Sequence, residues 1–179
     1  MASGNRTILT IILDWWQRLI SLLDTLGWVP PLAVRLFVGY FFFETGWAKL
    51  HNLPAFVEHF KQWGIPYPEF NAALSAWTEC LGGALTIAGL ATRLVSVAMV
   101  INMTVAIMSV KLKAVSGLDD FVELDEPLYA LFYVWLGFAG AGTLSFDYLV
   151  ARALGRSVPS PPPASDIGPA PVGHARSAR

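Results

Sequence analysis

The sequence predicts an all-α integral membrane protein: a four-helix bundle with an N-terminal amphipathic helix and a disordered C-terminal tail. Three observations carry this. Apolar residues make up 55% of the 179 residues and charged ones only 14%, with mean hydropathy +0.53; a soluble domain is about a quarter charged. Four apolar runs, at 30–50, 70–91, 93–112 and 127–147, reach the roughly 20 residues that a bilayer-crossing helix needs. Arg35, Glu44, Glu79 and Asn102 sit inside those runs. A charge at mid-membrane depth costs a few kcal/mol or more unless it is paired, buried or neutralised. The interior of the bundle is therefore expected to be polar, and function is to be sought there.

The elements follow in order. Residues 1–29 form an amphipathic segment. Asp14, Gln17, Arg18, Ser21 and Asp24 recur at helical spacing against Ile11, Ile12, Trp15, Leu19, Leu22, Leu23 and Leu26, the pattern of a helix lying in the membrane interface. It lacks the basic start, clean apolar core and small-x-small site of a signal peptide, so no cleavage is expected. Residues 30–154 form the membrane domain. Pro30 and Pro31 open the first run and Pro127 the fourth, as prolines suit a helix start. Residues 155–179 are rich in Pro, Ser and Ala. They cannot bury a core and are expected to be disordered.

Charge sets the expected orientation. Arg6, Arg18, Arg93, Arg152, Arg156, Arg176 and Arg179 fall on one side of the runs, and Lys61, Lys111 and Lys113 on the other with most of the acids. An excess of basic residues marks the cytoplasmic side. Both termini are thus expected in the cytoplasm, with the protein multi-pass in the inner (cytoplasmic) membrane. The seven Trp suit interfacial belts. A net charge of −1 with no basic patch excludes a nucleic-acid partner.

Helical spacing sorts the faces. Arg35, Gly39, Phe42, Gly46 and Lys49 share a stripe, as do Ser75, Glu79, Gly82, Gly83, Thr86 and Arg93. Ala98, Asn102, Ala106, Ser109 and Lys113 form a third, and Glu126, Ala130, Tyr133, Gly137, Gly140, Leu144 and Asp147 a fourth. Small residues let neighbouring helices approach, so these stripes are expected to meet. Glu44 lies about 180° from Arg35 around the helix and must face another neighbour, a partner chain, or carry a proton. Arg35 and Glu79 admit three readings: a structural pair fixing helix register, a polar pocket for a quinone or other amphipathic ligand, or a proton path, which no further acids continue inward. The pocket would be lined by Arg35, Trp77, Glu79 and Asn102.

Much chemistry is unsupported. The single cysteine, Cys80, allows neither an intrachain disulfide nor a CxxC pair and reads as a packing residue. His51, His59 and His174 lie outside the runs, so bis-His haem in the bundle is not available. His51, Glu58 and His59 read as solvated loop residues rather than metal ligands. No nucleotide, flavin or HExxH motif is present. The acidic loop 113–126 is either a solvated loop or a docking surface for a soluble partner.

The ordered set RLFVG (35–39), GWAKL (46–50), Gly64-Ile65-Pro66, ECLGG (79–83), GLATR (89–93) and GTLSFD (142–147) resembles the DoxX family of small membrane proteins. The resemblance implies a four-helix membrane fold. Some members are subunits of membrane oxidoreductases, including thiosulfate:quinone oxidoreductase, but family membership does not imply thiosulfate chemistry. Glu44 departs from the family pattern. Taken together, a quinone-linked or anchoring subunit of a membrane oxidoreductase is expected, with the lipid bilayer, a soluble or membrane redox partner and a homo-oligomer as associations. The alternative is a non-enzymatic module: an assembly factor, or a binder or transporter of a small apolar solute.

Overall fold

A computed structural model describes residues 2–155. Among them every regular element is helical. The predicted tail lies outside the described residues. The described chain falls into two units, and α1 (Ala2–Thr25) belongs to the first. Its side chains Ile11, Ile12, Leu13, Trp15, Trp16, Leu19, Leu22 and Leu23 are exposed.

The second unit holds α2 (Val29–His51), α3 (Leu53–Gln62), α4 (Pro68–Ala88), α5 (Thr92–Ser109), a 3₁₀ turn at Lys111–Ala114, α6 (Leu118–Val122), α7 (Asp125–Ala139) and α8 (Phe146–Ala153). Prolines stand in the first turns of α2, α3 and α4, where the missing N–H costs nothing. Helix α2 packs along α4 and α5 along α7, while α4 also meets α3 and α5. The core between them is Val38, Phe42, Val95, Met99, Met103, Tyr133 and Leu136.

Glycine sets the closeness of α2 and α4. A Cβ on Gly46 would strike the Cys80 backbone nitrogen, and one on Gly83 would strike that of Phe43. This is close small-residue packing. It also fixes the antiparallel register: residue 46 is level with 80, and residue 43 with 83.

Three expectations change. The fourth run is not one helix, because α7 stops at Ala139 and α8 begins at Phe146. Gly140 and Gly142 between them have φ of +78°, a conformation that ends a helix. At 15 residues, α7 is about 22 Å long, short of a hydrocarbon core of about 30 Å. Secondly, the small face of α5 is not its packing face: Val95, Ser96, Met99 and Met103 are buried instead. Thirdly, the segment after the first run is a helix and not a loop, although His51, Glu58 and His59 are exposed as expected. Phe56, Phe60 and Trp63 recur at helical spacing on α3 and beyond it, and Phe60 is buried. Among the described residues, α5 is the one helix that alone is long and apolar enough to cross a membrane. Helix α2 carries Arg35, Glu44 and Lys49, and passes that test only joined with 10–25.

Candidate ligand cavity and a buried arginine clasp

The register of α2 and α4 decides which cation meets Glu79. Glu79 is level with about residue 47 of α2. Arg35 lies twelve residues from that level, about 18 Å at ~1.5 Å per residue, beyond the reach of a guanidinium. Lys49 lies two residues away, about 3 Å. Accordingly Lys49 Nζ donates to Glu79 Oε2 at 2.5 Å. The Arg35–Glu79 pair does not form.

The Glu79 carboxylate, 4% exposed, is the centre of a polar network. Thr45 Oγ1 lies 3.4 Å from Oε2, Asn102 Nδ2 donates to Oε1 at 3.3 Å, and Ser75 Oγ donates to Asn102 Oδ1 at 3.0 Å. Helices α2, α4 and α5 thus each contribute. The Lys49 ammonium also sits 5.0 Å from the centroid of the Phe56 ring on α3, a cation–π distance. Such pairing is what a buried carboxylate requires.

This network borders a cavity of about 940 Å³, within the size range of small-molecule sites. Its walls are largely apolar and aromatic: Phe41, Phe42, Phe56, Phe60, Trp63 and Tyr129 all contribute. The cavity exists because Ala98, Asn102, Ala106 and Ser109 line it. Small side chains here leave space instead of admitting a helix. Past the end of α5, in the 3₁₀ turn, Lys111 Nζ pairs with Glu126 Oε1 at 2.9 Å, and both residues line the cavity. The other Glu126 oxygen is buried without a hydrogen-bond partner. Asp125 lines the cavity too, whereas Asp119, Asp120 and Glu123 of the acidic segment are exposed.

Of the sequence-predicted site residues, Glu79 and Asn102 come together on this cavity. Trp77 does not: it is 52% exposed and absent from the lining. Two residues from Glu79, it points roughly 200° around the helix. Arg35 is also elsewhere, at the opposite end of α2. Lys49, Thr45 and the α3 aromatics were missed as site residues. Lys49 sits on the polar stripe of its helix, which was the available signal.

Arg35 is 1% exposed and binds only backbone. Nε donates to Thr86 O at 3.0 Å and Nη2 to Ile87 O at 2.8 Å, while Nη1 donates to Ala141 O at 2.6 Å and Leu144 O at 2.9 Å. Two of these carbonyls end α4, whose last turn lacks intrahelical donors and is the negative end of the helix dipole. The remaining two belong to the break between α7 and α8. Gly89, at φ +65°, closes α4: its N–H donates to Thr86 O and that of Leu90 to Leu85 O, a Schellman pattern. A Cβ on Gly89 would strike the Arg35 guanidinium. Asp147 completes the clasp by accepting from the N–H groups of Ala91 at 2.7 Å and Thr92 at 2.9 Å, so capping α5 from 55 residues away. Ser145 caps α8 by accepting from Tyr148 N–H at 3.1 Å.

Comparison with known proteins places these features. The DoxX family pattern matches residues 31–112. A Bacillus subtilis protein named "Putative oxidoreductase CatD" is 33% identical over 125 residues, covering 69% of this chain and 89% of its own. A Mycobacterium tuberculosis protein named "Uncharacterized membrane protein Rv3486" is 30% identical over 139 residues, covering 69% of this chain and 83% of its own. No solved structure matches significantly. The chain belongs to the DoxX family of small membrane proteins.

Proposed function

We propose that this chain crosses the inner membrane four times, with both termini cytoplasmic, and binds a lipid-soluble ring compound of the quinone class as a quinone-linked or anchoring subunit of an oxidoreductase system. In this reading α2, α4 and α5 are spans, the fourth is α7 with the segment after it, and α1 lies in the interface. The observation that carries the ligand reading is the cavity. Aromatic walls suit a planar ring and an apolar tail. At the polar end, Lys49 has donors left over from Glu79 for a ring carbonyl, and Asn102 stands beside it. The oxidoreductase name of the Bacillus subtilis relative supports a redox setting.

The test uses protein purified in mild detergent. Lipid extraction should release quinone, and a decyl-chain quinone should quench tryptophan fluorescence, since Trp63 lines the cavity. Lys49→Met and Asn102→Leu should weaken that binding about tenfold each, the worth of one hydrogen bond to a charged group or a buried amide. Trp77→Phe should not. Equal binding by all variants would refute the site. Quinone-free protein that retains another apolar solute and copurifies with no redox partner would favour the non-enzymatic alternative. Reporter fusions after Gly64 and Gly117 should read outside, and a C-terminal fusion inside.

A further inference from the structure

The outward faces of α4 and α5 reach the cavity at one level. On α4 that face is Phe70, Leu74, Trp77 and Leu81; on α5 it is Leu94, Val97, Ile101, Val105 and Met108. All are exposed, and spacings of three and four residues keep each set on one side of its helix. Of these, Leu74, Ile101 and Val105 also line the cavity, and the others do not. There the cavity wall is also the outer surface. The two rims face each other. Asn102 bonds both Ser75 and Glu79, so it is level with about residue 77; Val105, three residues on, is level with Leu74 across the antiparallel pair. The other walls are closed or polar. Between α2 and α7 the Phe41 and Tyr129 rings stack with centroids 4.9 Å apart, and Phe42 meets Tyr129 edge-on at 5.2 Å. Between α2 and α4 the glycine contacts leave no gap. Toward the end of α3 and the start of α7 the exposed lining residues are His59, Pro66 and Asp125, which suit water and not lipid.

We infer that the ligand enters from the lipid, through a gap between α4 and α5 rimmed by Leu74, Ile101 and Val105, and that it carries a long hydrocarbon tail which stays in this gap while the ring is inside. This inference rests on the quinone reading of the cavity and on α4 and α5 as spans. Val105 is four residues from the end of α5, about 6 Å at ~1.5 Å per residue, so the rim lies within a hydrocarbon core about 30 Å thick. A ring held by Asn102 is within one helical turn of the rim, because Ile101 and Val105 stand one residue before it and three after. Its tail emerges without crossing the cavity. Size requires the same. A cavity of about 940 Å³ holds one drug-sized molecule, so a ring and a polyprenyl tail cannot both be enclosed. With the gap open to lipid, tail length is not limited. Leu74, Ile101 and Val105 offer no hydrogen bond, so a polar substituent at the tail position is disfavoured by the loss of its water. The site thus selects a membrane-resident, tailed ring.

The test uses the full chain in lipid nanodiscs, with binding read by tryptophan quenching in stopped flow. The probes are a decyl-chain quinone and a polyprenyl quinone with the same ring. Both should bind the parent with the same affinity counted per lipid, because the tail exchanges lipid for an equally apolar gap. Val105→Trp should slow entry of the decyl quinone roughly tenfold, as an indole wedged into the rim raises the barrier by about what overpacking costs a core. Val97→Trp, outward on the same helix but off the cavity, adds the same fluorophore and should leave the rate unchanged. Should Val105→Trp lower Tm, Leu74→Trp on the opposite rim makes the same test. Equal rates for the rim variant and Val97→Trp would overturn lateral entry, and so would a rate lowered by His59→Trp alone. Binding of the decyl quinone but not the polyprenyl one would show an enclosed tail and overturn its placement. Each of these results leaves the quinone reading standing. Failure of both quinones to bind the parent would overturn both.

Discussion

Replacing Arg35 by Met should be among the most damaging single changes in the protein. The side chain supplies four hydrogen bonds to backbone carbonyls. Thr86 O retains the Gly89 N–H at 3.1 Å, which leaves Ile87, Ala141 and Leu144 without their donor. An orphaned buried carbonyl costs about 1–3 kcal/mol. Since two of the three bonds are only part-buried, the total should fall at about 3–5 kcal/mol. For a chain of this size each kcal/mol moves Tm by about 2–4 °C, so a drop of roughly 10 °C is expected in detergent by circular dichroism. Arg35→Lys should recover little, because an ammonium cannot reproduce the planar fork. Combining Arg35→Met with Glu79→Gln should give additive losses, as expected for non-contacting sites. Rescue of Arg35→Met by Glu79→Gln, or a loss under ~0.5 kcal/mol, the usual range of a surface change, would refute the clasp.

Further outcomes follow from the other contacts. Gly83→Ala drives a methyl into the Phe43 backbone and should cost about 1–3 kcal/mol, read as a lower Tm. Asp147→Ala uncaps α5 and should cost about 1–2 kcal/mol, with faster amide exchange at Ala91 and Thr92. Lys49→Met strands the Glu79 carboxylate and should cost about 3 kcal/mol or more. Adding Glu79→Gln should restore much of that stability but not quinone binding; restored binding would remove Lys49 from the ligand site.

Angles were legible in the sequence and axial offsets were not. Helical periodicity placed Arg35 and Lys49 on one stripe of α2, and Glu79 on the facing stripe of α4. It could not say how far one helix slides along the other. That offset is set where Gly46 meets Cys80 and Gly83 meets Phe43, a fit between two surfaces. It gave Glu79 to Lys49 instead of Arg35. The end of α7 was masked in another way: the stretch after Ala139 is as apolar as the helix before it. Only the pair Gly140 and Gly142 signals the break, and glycine in a membrane helix reads equally well as packing. Helix α3 was signalled by Pro54, Phe56 and Phe60, but its length suggested a loop between spans. On α5, small residues read as a contact face proved to be the wall of the cavity.

The motifs that carried the family resemblance divide between the two ends of the α2–α4 pair, and the division separates stability from binding. RLFVG, GLATR and GTLSFD converge on one end. There Arg35, Gly89 and Asp147 join the end of α4, the start of α5 and the break after α7 through backbone groups. No side chain in that clasp faces the cavity. GWAKL, Gly64-Ile65-Pro66 and the Glu79 end of ECLGG gather at the other, where Lys49, Ile65, Pro66 and Glu79 line the cavity. A buried guanidinium with four of its five N–H groups committed to carbonyls has little left to offer a ligand. An ion pair on a cavity wall, with spare donors on Lys49 and aromatic rings around it, has more. The same division orders the variants: changes at Arg35 or Asp147 should lower stability and leave ligand affinity of the folded fraction unchanged. Substitutions at Asn102 should do the reverse, with affinity falling at nearly constant Tm. Loss of affinity in the folded fraction of Asp147→Ala would show that the two ends are coupled through α4 and α5, and would end the separation argued from these contacts.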